Sequence, residues 1–205
     1  MTTYYLLRHG EHAVQGQIAA GRAPGIPLSE RGRREAAWAA ERLADAKIVA
    51  IYASPLERAQ ETAHVIGDRL DLPVTVRPDL SELDFGEWTG LTFDAIRKDP
   101  RWQVWAAHRS IACLPGGETM REVQRRVVEA MMELREAHPD DSIVMVSHGD
   151  VLRAALMFAL AMPIDFYGRI EVATASVSTL RIDAHGIRVV AINERLLPAP
   201  STPGR

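Results

Sequence analysis

Three short strings place ionisable side chains beside glycine or proline: Arg8-His9-Gly10-Glu11, Ser54-Pro55-Leu56-Glu57-Arg58 and Ser147-His148-Gly149-Asp150. Each follows a short apolar run that reads as a strand, so each falls at a strand's C-terminal end, where open α/β sheets place ligands. Brought to one rim, Arg8, Arg58, His9 and His148 form a cage for a tetrahedral dianion. The fixed N–H fork of arginine fits phosphate oxygens, and helices beginning near Pro55 and Gly149 would add backbone N–H groups and positive dipole ends. Gly10 and Gly149, one after each histidine, would let backbone approach a ligand closely. A neutral imidazole in that cage could attack phosphorus and carry the phosphoryl group, dividing one hard displacement into two easier ones. The leaving oxygen then needs a proton donor. Glu82, in Leu80-Ser81-Glu82-Leu83-Asp84-Phe85-Gly86, is the candidate.

The elements that must position these residues alternate short strand patterns with longer helical ones, which predicts a mostly parallel open sheet with helices on both faces. Tyr4 to Leu7 reads as the first strand, Ile48 to Ala53 as the second, Val74 to Val76 as the third and Ile143 to Val146 as the fourth. Between them run apolar stripes at helical spacing: Ala36, Ala37, Ala40 and Leu43; Ala59, Ala63, Ile66 and Leu70; Val123, Val127, Met131 and Leu134. Ser54 and Pro55 are expected as N-cap and first-turn proline of the second helix, and Thr119 as the cap of the third. A further helix is expected from Val151 to Leu160. Val177 to Ile182 and Ile187 to Ile192 flank Asp183-Ala184-His185-Gly186, a hairpin signature that ends the sheet. Residues 79–117 carry Trp88, Trp102 and Trp105 with only short helical pieces, and are expected to form a lid-like insertion over one end of the sheet. Residues 1–196 are read as a single domain, and residues 197–205 as a disordered tail.

Composition narrows the function classes. The 205 residues are 47% hydrophobic and 25% charged, with a formal charge of -3. That balance suits a globular chain with a sizeable core and offers no overall field for nucleic acid or an anionic membrane, so an anion site must be local. Cys113 is the single cysteine, which excludes an internal disulfide and fits a reducing cytoplasm; it is expected to be a small buried residue. The first residues lack the basic and apolar regions of a signal peptide, and the longest apolar run, Ala154 to Ile164, falls short of a membrane span. No residue pattern sets an oligomeric state.

Taken together, Arg8-His9-Gly10-Glu11, the run from Ser54 to Ala63, Glu82 with Asp84-Phe85-Gly86-Glu87-Trp88 and Gly90, Pro115-Gly116-Gly117-Glu118, and Ser147-His148-Gly149 resemble the histidine phosphatase superfamily, also called phosphoglycerate mutase-like, in order and spacing. The resemblance implies that His9 is the nucleophile forming a phosphohistidine and that Arg8, Arg58 and His148 hold the phosphoryl group. It implies that Glu82 is the proton donor and then the base that activates water. Gln15 falls where many relatives carry an amide that contacts phosphate, and Gly21 and Arg22 lie in the segment where relatives place a substrate-facing loop. His12 departs from the small hydroxyl residue frequent at its position. The implied partner is a small phosphorylated substrate, with no cofactor and no metal.

Each residue also has a plainer reading. His9, Glu11 and His12 lack the His-Glu-x-x-His helix order of a zinc site. Arg153 reads as a structural ion-pair partner, and Trp88, Trp102 and Trp105 as packing of the insertion, with lining of a substrate mouth the less favoured reading. Glycolytic mutases of the family resemble one another in a longer insertion with a lysine and a Trp-Arg-Arg stretch. Here that region offers only Lys98 and Trp105-Ala106-Ala107-His108-Arg109. The expected activity is therefore phosphomonoester hydrolysis, with a cofactor-dependent mutase as runner-up and a silent phospho-ligand-binding protein third.

Overall fold

A computed structural model of the chain describes residues 1–195; the tail read at 197–205 lies outside the described residues. Its order is β1 (Thr2–Arg8), α1 (Glu30–Leu43), β2 (Ile48–Ala53), α2 (Glu57–Leu70), β3 (Val74–Val76), α3 (Phe93–Lys98), α4 (Pro100–Ala107), α5 (Met120–Ala137), β4 (Ser142–Ser147), α6 (Gly149–Ala159), β5 (Val177–Asp183) and β6 (Gly186–Glu194). The six strands form one sheet in the order β3-β2-β4-β1-β5-β6. The first four run parallel, and the terminal hairpin adds two antiparallel strands.

β1 and β4 are buried along almost their whole length because both of their faces are covered. On one face Leu7, Val144 and Val146 pack with Ala39, Ala40 and Leu43 of α1 and Ala59, Ala63 and Ile66 of α2. On the other, Tyr4, Leu6, Ile143 and Met145 pack with Val123, Val127 and Met131 of α5 and with Leu152 and Ala155 of α6. Leu6 has no exposed surface, so truncation to alanine costs about 2–5 kcal/mol, much of a domain's net stability.

Register brings the chemistry together. Arg8 pairs with Ser147 across the parallel β1–β4 ladder, so His9 and His148 emerge side by side from the same edge. The His9 N–H donates to the Ser147 carbonyl (3.0 Å) and the Ser54 N–H to the Val146 carbonyl (3.0 Å), which draws in the end of β2 as well. The turn after β1 is packed backbone to backbone on the first turn of α1. A Cβ on Gly10 would stand 2.4 Å from the Gly32 carbonyl oxygen, and one on Gly32 would stand 2.0 Å from that of Glu11. Gly10 is thus required by the packing of the chain on itself.

Two local expectations change. Ser54 does not cap α2: the helix begins at Glu57 with Leu56 in the cap position and no side-chain cap. Pro55 and Leu56 form the turn between, and the Ser54 hydroxyl turns to His148 instead. Cys113 is exposed, because it sits in the loop between α4 and α5, facing away from the core. By contrast, Thr119 caps α5 in a reciprocal capping box with Glu122. Among the described residues no helix is long and apolar enough to cross a membrane.

Candidate active site

At the C-terminal edge of the parallel strands lies a cavity of about 260 Å³. Its inner wall gathers Arg8, His9, His12, Gln15, Gly21, Arg58, Glu82 and Gly149. His9 is buried, and its Nδ1 lies 2.7 Å from the Gly10 carbonyl oxygen. A carbonyl only accepts, so Nδ1 carries the proton and donates, and the lone pair is left on Nε2. Burial, then the charges of Arg8 and Arg58, hold the imidazole well below the ordinary histidine range. The ring is therefore neutral and nucleophilic at neutral pH.

His148 has no exposed surface, and its ring centroid lies 5.0 Å from that of His9; its neighbour Gly149 lines the cavity. Its Nε2 lies 2.7 Å from the Ser54 hydroxyl, which also accepts from the Leu56 N–H. When that hydroxyl donates to Nε2, Nδ1 becomes an N–H donor, and Nδ1 has no partner within the chain. Gly149 matters for a related reason: a Cβ there would press to 3.3 Å from the Arg8 guanidinium carbon.

The two arginines are buried cations with donors to spare. Arg8 Nη1 donates to the Val172 carbonyl (2.6 Å) and Arg58 Nη2 to the Gly21 carbonyl (2.7 Å). Arg8 Nε and Arg58 Nε and Nη1 are buried without a partner in the chain. Unpaired buried guanidinium N–H groups are costly, and an anion accepting from all of them removes that cost. Burial lowers both guanidinium pKa values, which nonetheless remain cationic side chains. His12, its ring 5.5 Å from that of His9, is pushed down to about 4 by burial and then by Arg58 and Arg8.

Glu82 faces this basic cluster from the insertion, half-buried on the cavity wall. Burial first, and then the charge of Asp150, raise its carboxyl to about 7. A carboxylic acid that keeps its proton near neutrality beside a neutral imidazole is the pairing that general acid catalysis requires. Its backbone is clamped. The Glu82 carbonyl accepts from Arg22 Nε (2.8 Å) and Arg126 Nη2 (3.3 Å), and both arginines converge on the Glu118 carboxylate at 2.8–3.1 Å.

The sequence-predicted residues divide accordingly. Arg8, His9, Arg58 and Glu82 share the cavity, Gln15, Gly21 and Gly149 line it, and the His148 ring lies against that of His9. Gly10 is not on the wall; its N–H donates to Thr62 Oγ1 (3.1 Å), and the Thr62 hydroxyl donates to the Arg58 carbonyl. Arg22 is occupied by Glu118 and the Glu82 backbone and stands outside the cavity. These contacts tie the loop after β1 to the insertion. Arg153 is no ion-pair strut on a helix surface: it lines the cavity and donates to Tyr167 Oη (2.5 Å) and the Ile170 carbonyl (2.9 Å). Trp88 is a core residue, whereas Trp102 and Trp105 also reach the cavity.

Sequence reasoning gave no place in the site to Asp150, Tyr167 and Arg109, which line the outer wall. Asp150 closes the Ser147-His148-Gly149-Asp150 string, and that adjacency was the signal for its place on the wall. Tyr167 and Arg109 carry no local signal, since packing between the insertion and the turn after α6 brings them in. Among the described residues no three His, Cys, Asp or Glu side chains gather as a metal site would need.

A strand-edge cage of two histidines and two arginines, faced by a carboxyl on an α/β sheet, is complementary to a tetrahedral dianion. The chain belongs to the histidine phosphatase superfamily (branch 1), whose profile matches residues 4–195. It is 36% identical over 194 residues to the bifunctional protein Rv2228c of Mycobacterium tuberculosis, covering 93% of this chain and 53% of that one. The chain thus spans about half the length of that relative and of its counterparts from another strain and from Mycobacterium bovis. It is 30% identical over 156 residues to the uncharacterized phosphatase PhoE of Bacillus subtilis, 76% of either chain. Among solved structures, the mycobacterial glucosyl-3-phosphoglycerate phosphatase Rv2419c superposes with a TM-score of 0.83 at 29% identity, covering 93% of this chain and 98% of that one.

Proposed function

We propose that the protein hydrolyses a small phosphomonoester through a phosphohistidine on His9. The observation that carries this reading is the set of partnerless buried donors on Arg8 and Arg58 around an imidazole whose free lone pair is on Nε2, opposite a carboxyl held protonated to about pH 7. In the first step His9 Nε2 attacks phosphorus, the bond from phosphorus to the ester oxygen breaks, and Glu82 gives its proton to that oxygen. The arginine donors, with His148 Nδ1–H, take up the charge of the equatorial oxygens. In the second step the Glu82 carboxylate accepts a proton from water as the water oxygen attacks phosphorus. The N–P bond then breaks to release inorganic phosphate, and the acid and the imidazole are both regenerated. No metal or cofactor enters either step.

The cavity volume of about 260 Å³ lies at the small end of ligand sites, which supports a metabolite over a macromolecular substrate. The test is phosphate release from a panel of small phosphomonoesters, run beside interconversion of 2- and 3-phosphoglycerate with and without 2,3-bisphosphoglycerate. Phosphate release that greatly exceeds isomerisation is expected. Fast isomerisation with little free phosphate would make the chain a mutase, and neither activity across the panel would leave the silent binding protein.

A further inference from the structure

Of the ionisable side chains on the inner wall of the cavity, the two-step reaction leaves His12 without a task. It stands just beyond the turn after β1, where an antiparallel bridge to Leu28 fixes its backbone and its carbonyl accepts from the Gln15 N–H (2.9 Å). The residue is 5% exposed, and its ring centroid lies 5.5 Å from that of His9. Nδ1 is buried without a partner in the chain, a costly state unless a ligand or water supplies one. Sharing the cavity with it are Arg8 and His9 at the end of β1, Arg58 from α2, Glu82 from the insertion, Arg109 from the loop after α4, and Asp150 and Arg153 from α6. While Glu82 keeps its proton, below about pH 7, four guanidinium groups share that space with the single carboxylate of Asp150. Burial and this positive field, chiefly that of Arg58 and Arg8, keep the His12 imidazole neutral in the free protein.

We infer that His12 is a third arm of the anion cage, which gives a ring N–H to the group seated between Arg8 and Arg58 and takes up a proton as that group binds. Two negative charges at that point offset the field of the arginines and supply the acceptor that the chain does not, so the imidazolium disfavoured in the free protein becomes favourable in the complex. By linkage, a complex that holds one more proton than the free protein gains affinity as pH falls, and the gain is gone once the bound ring is neutral at higher pH. Return of the ring from about 4 to the ordinary histidine value of about 6.5 corresponds to a gain of about 30-fold between pH 8 and pH 5. Product phosphate is then held more tightly in acid. This inference rests on the reading of the cavity as a phosphoryl site.

The probe is sulfate, a tetrahedral ion that stays a dianion across this range, so its own titration does not enter. Its affinity is measured by calorimetry at pH 5 and pH 8 for the protein and for His12→Gln, which keeps an N–H donor but cannot take up a proton. Glu82, His9 and His148 are common to both proteins, so the difference between them isolates His12. The protein should bind sulfate roughly 10- to 30-fold more tightly at pH 5 than at pH 8 over and above any change in His12→Gln, and the two should agree within about three-fold at pH 8. Proton NMR of the unsubstituted protein is the second readout: the His12 Cε1–H resonance should titrate at least about one pH unit higher with saturating sulfate than without it. An equal pH dependence of sulfate affinity in the two proteins overturns the assignment, as does a His12 titration that sulfate leaves in place. Sulfate binding to neither protein at either pH also overturns it; the phosphatase reading then stands alone if p-nitrophenyl phosphate is hydrolysed, and falls too if it is not.

Discussion

Replacing Glu82 with glutamine should make the protein more stable and a poorer catalyst. The carboxyl is half-buried, and burial together with Asp150 lifts it from 4.5 to about 7 despite the Leu83 N–H and the charges of Arg58 and Arg8, which pull the other way. A raised carboxyl pKa means that the folded state favours the protonated form. The resulting cost is absent well below 4.5, grows as pH rises through the interval to about 7, and is constant above it, at about 3 kcal/mol. Glutamine has nearly the shape of the neutral acid and cannot ionise, so Glu82→Gln should gain about 3 kcal/mol at pH 8 but less than about 1 kcal/mol at pH 5. For a chain of this size that is a rise in Tm of roughly 6–12 °C at the higher pH. Turnover of an alkyl phosphate should fall by about 10²- to 10⁴-fold, because the alkoxide then leaves without a proton. Hydrolysis of p-nitrophenyl phosphate, whose phenolate leaves unaided, should fall much less. Thermal melts at the two pH values and rates on the two substrates decide the matter. An equal gain at pH 5 and pH 8, or none at pH 8, would refute the strained carboxyl, and unchanged alkyl turnover would refute its role as an acid.

Other perturbations probe the surroundings of that carboxyl. Because the Asp150 charge raises Glu82, Asp150→Asn should move the alkaline limb of kcat/KM to lower pH, whereas Tyr167→Phe, which keeps the charge, should move it little; coincident profiles would refute the coupling. Glu118→Gln should loosen the grip of Arg22 and Arg126 on the Glu82 backbone, lowering kcat for alkyl phosphates more than for aryl phosphates with KM nearly unchanged. An equal fall for both substrates would instead mark Glu118 as a general support of the fold.

Much of the fold was legible because it depends on local periodicity. The strands at 48–53 and 74–76 and the cap at Thr119 are set by neighbouring residues, and the structure places them within a residue or two of their predicted bounds. His9, Arg58 and His148 were legible as candidates because each immediately follows a strand or opens the helix after one, so topology alone brings them near one edge. Ser54 was misread because Ser-Pro before an apolar stripe is a good cap by local rules. Tertiary context overrode it: the partner that mattered was His148, ninety-four positions away. The ion pair of Arg22 with Glu118 had no local signal either, since its partner stands ninety-six positions away, just beyond the insertion. Arg109, Arg153 and Tyr167 meet through ring stacking between separate segments, a contact with no signature in residue spacing.

The central claim is that His9 Nε2 carries the phosphoryl group. Its most direct measurement is rapid quenching of the protein during turnover of a phosphomonoester, followed by phosphopeptide mapping under alkaline conditions that preserve phosphohistidine. The account predicts up to one acid-labile phosphoryl group per chain, on the peptide containing His9 and attached at Nε2, and none in His9→Ala. Turnover with no trapped phosphoryl group, or label on His12, His148 or any other residue, would contradict it.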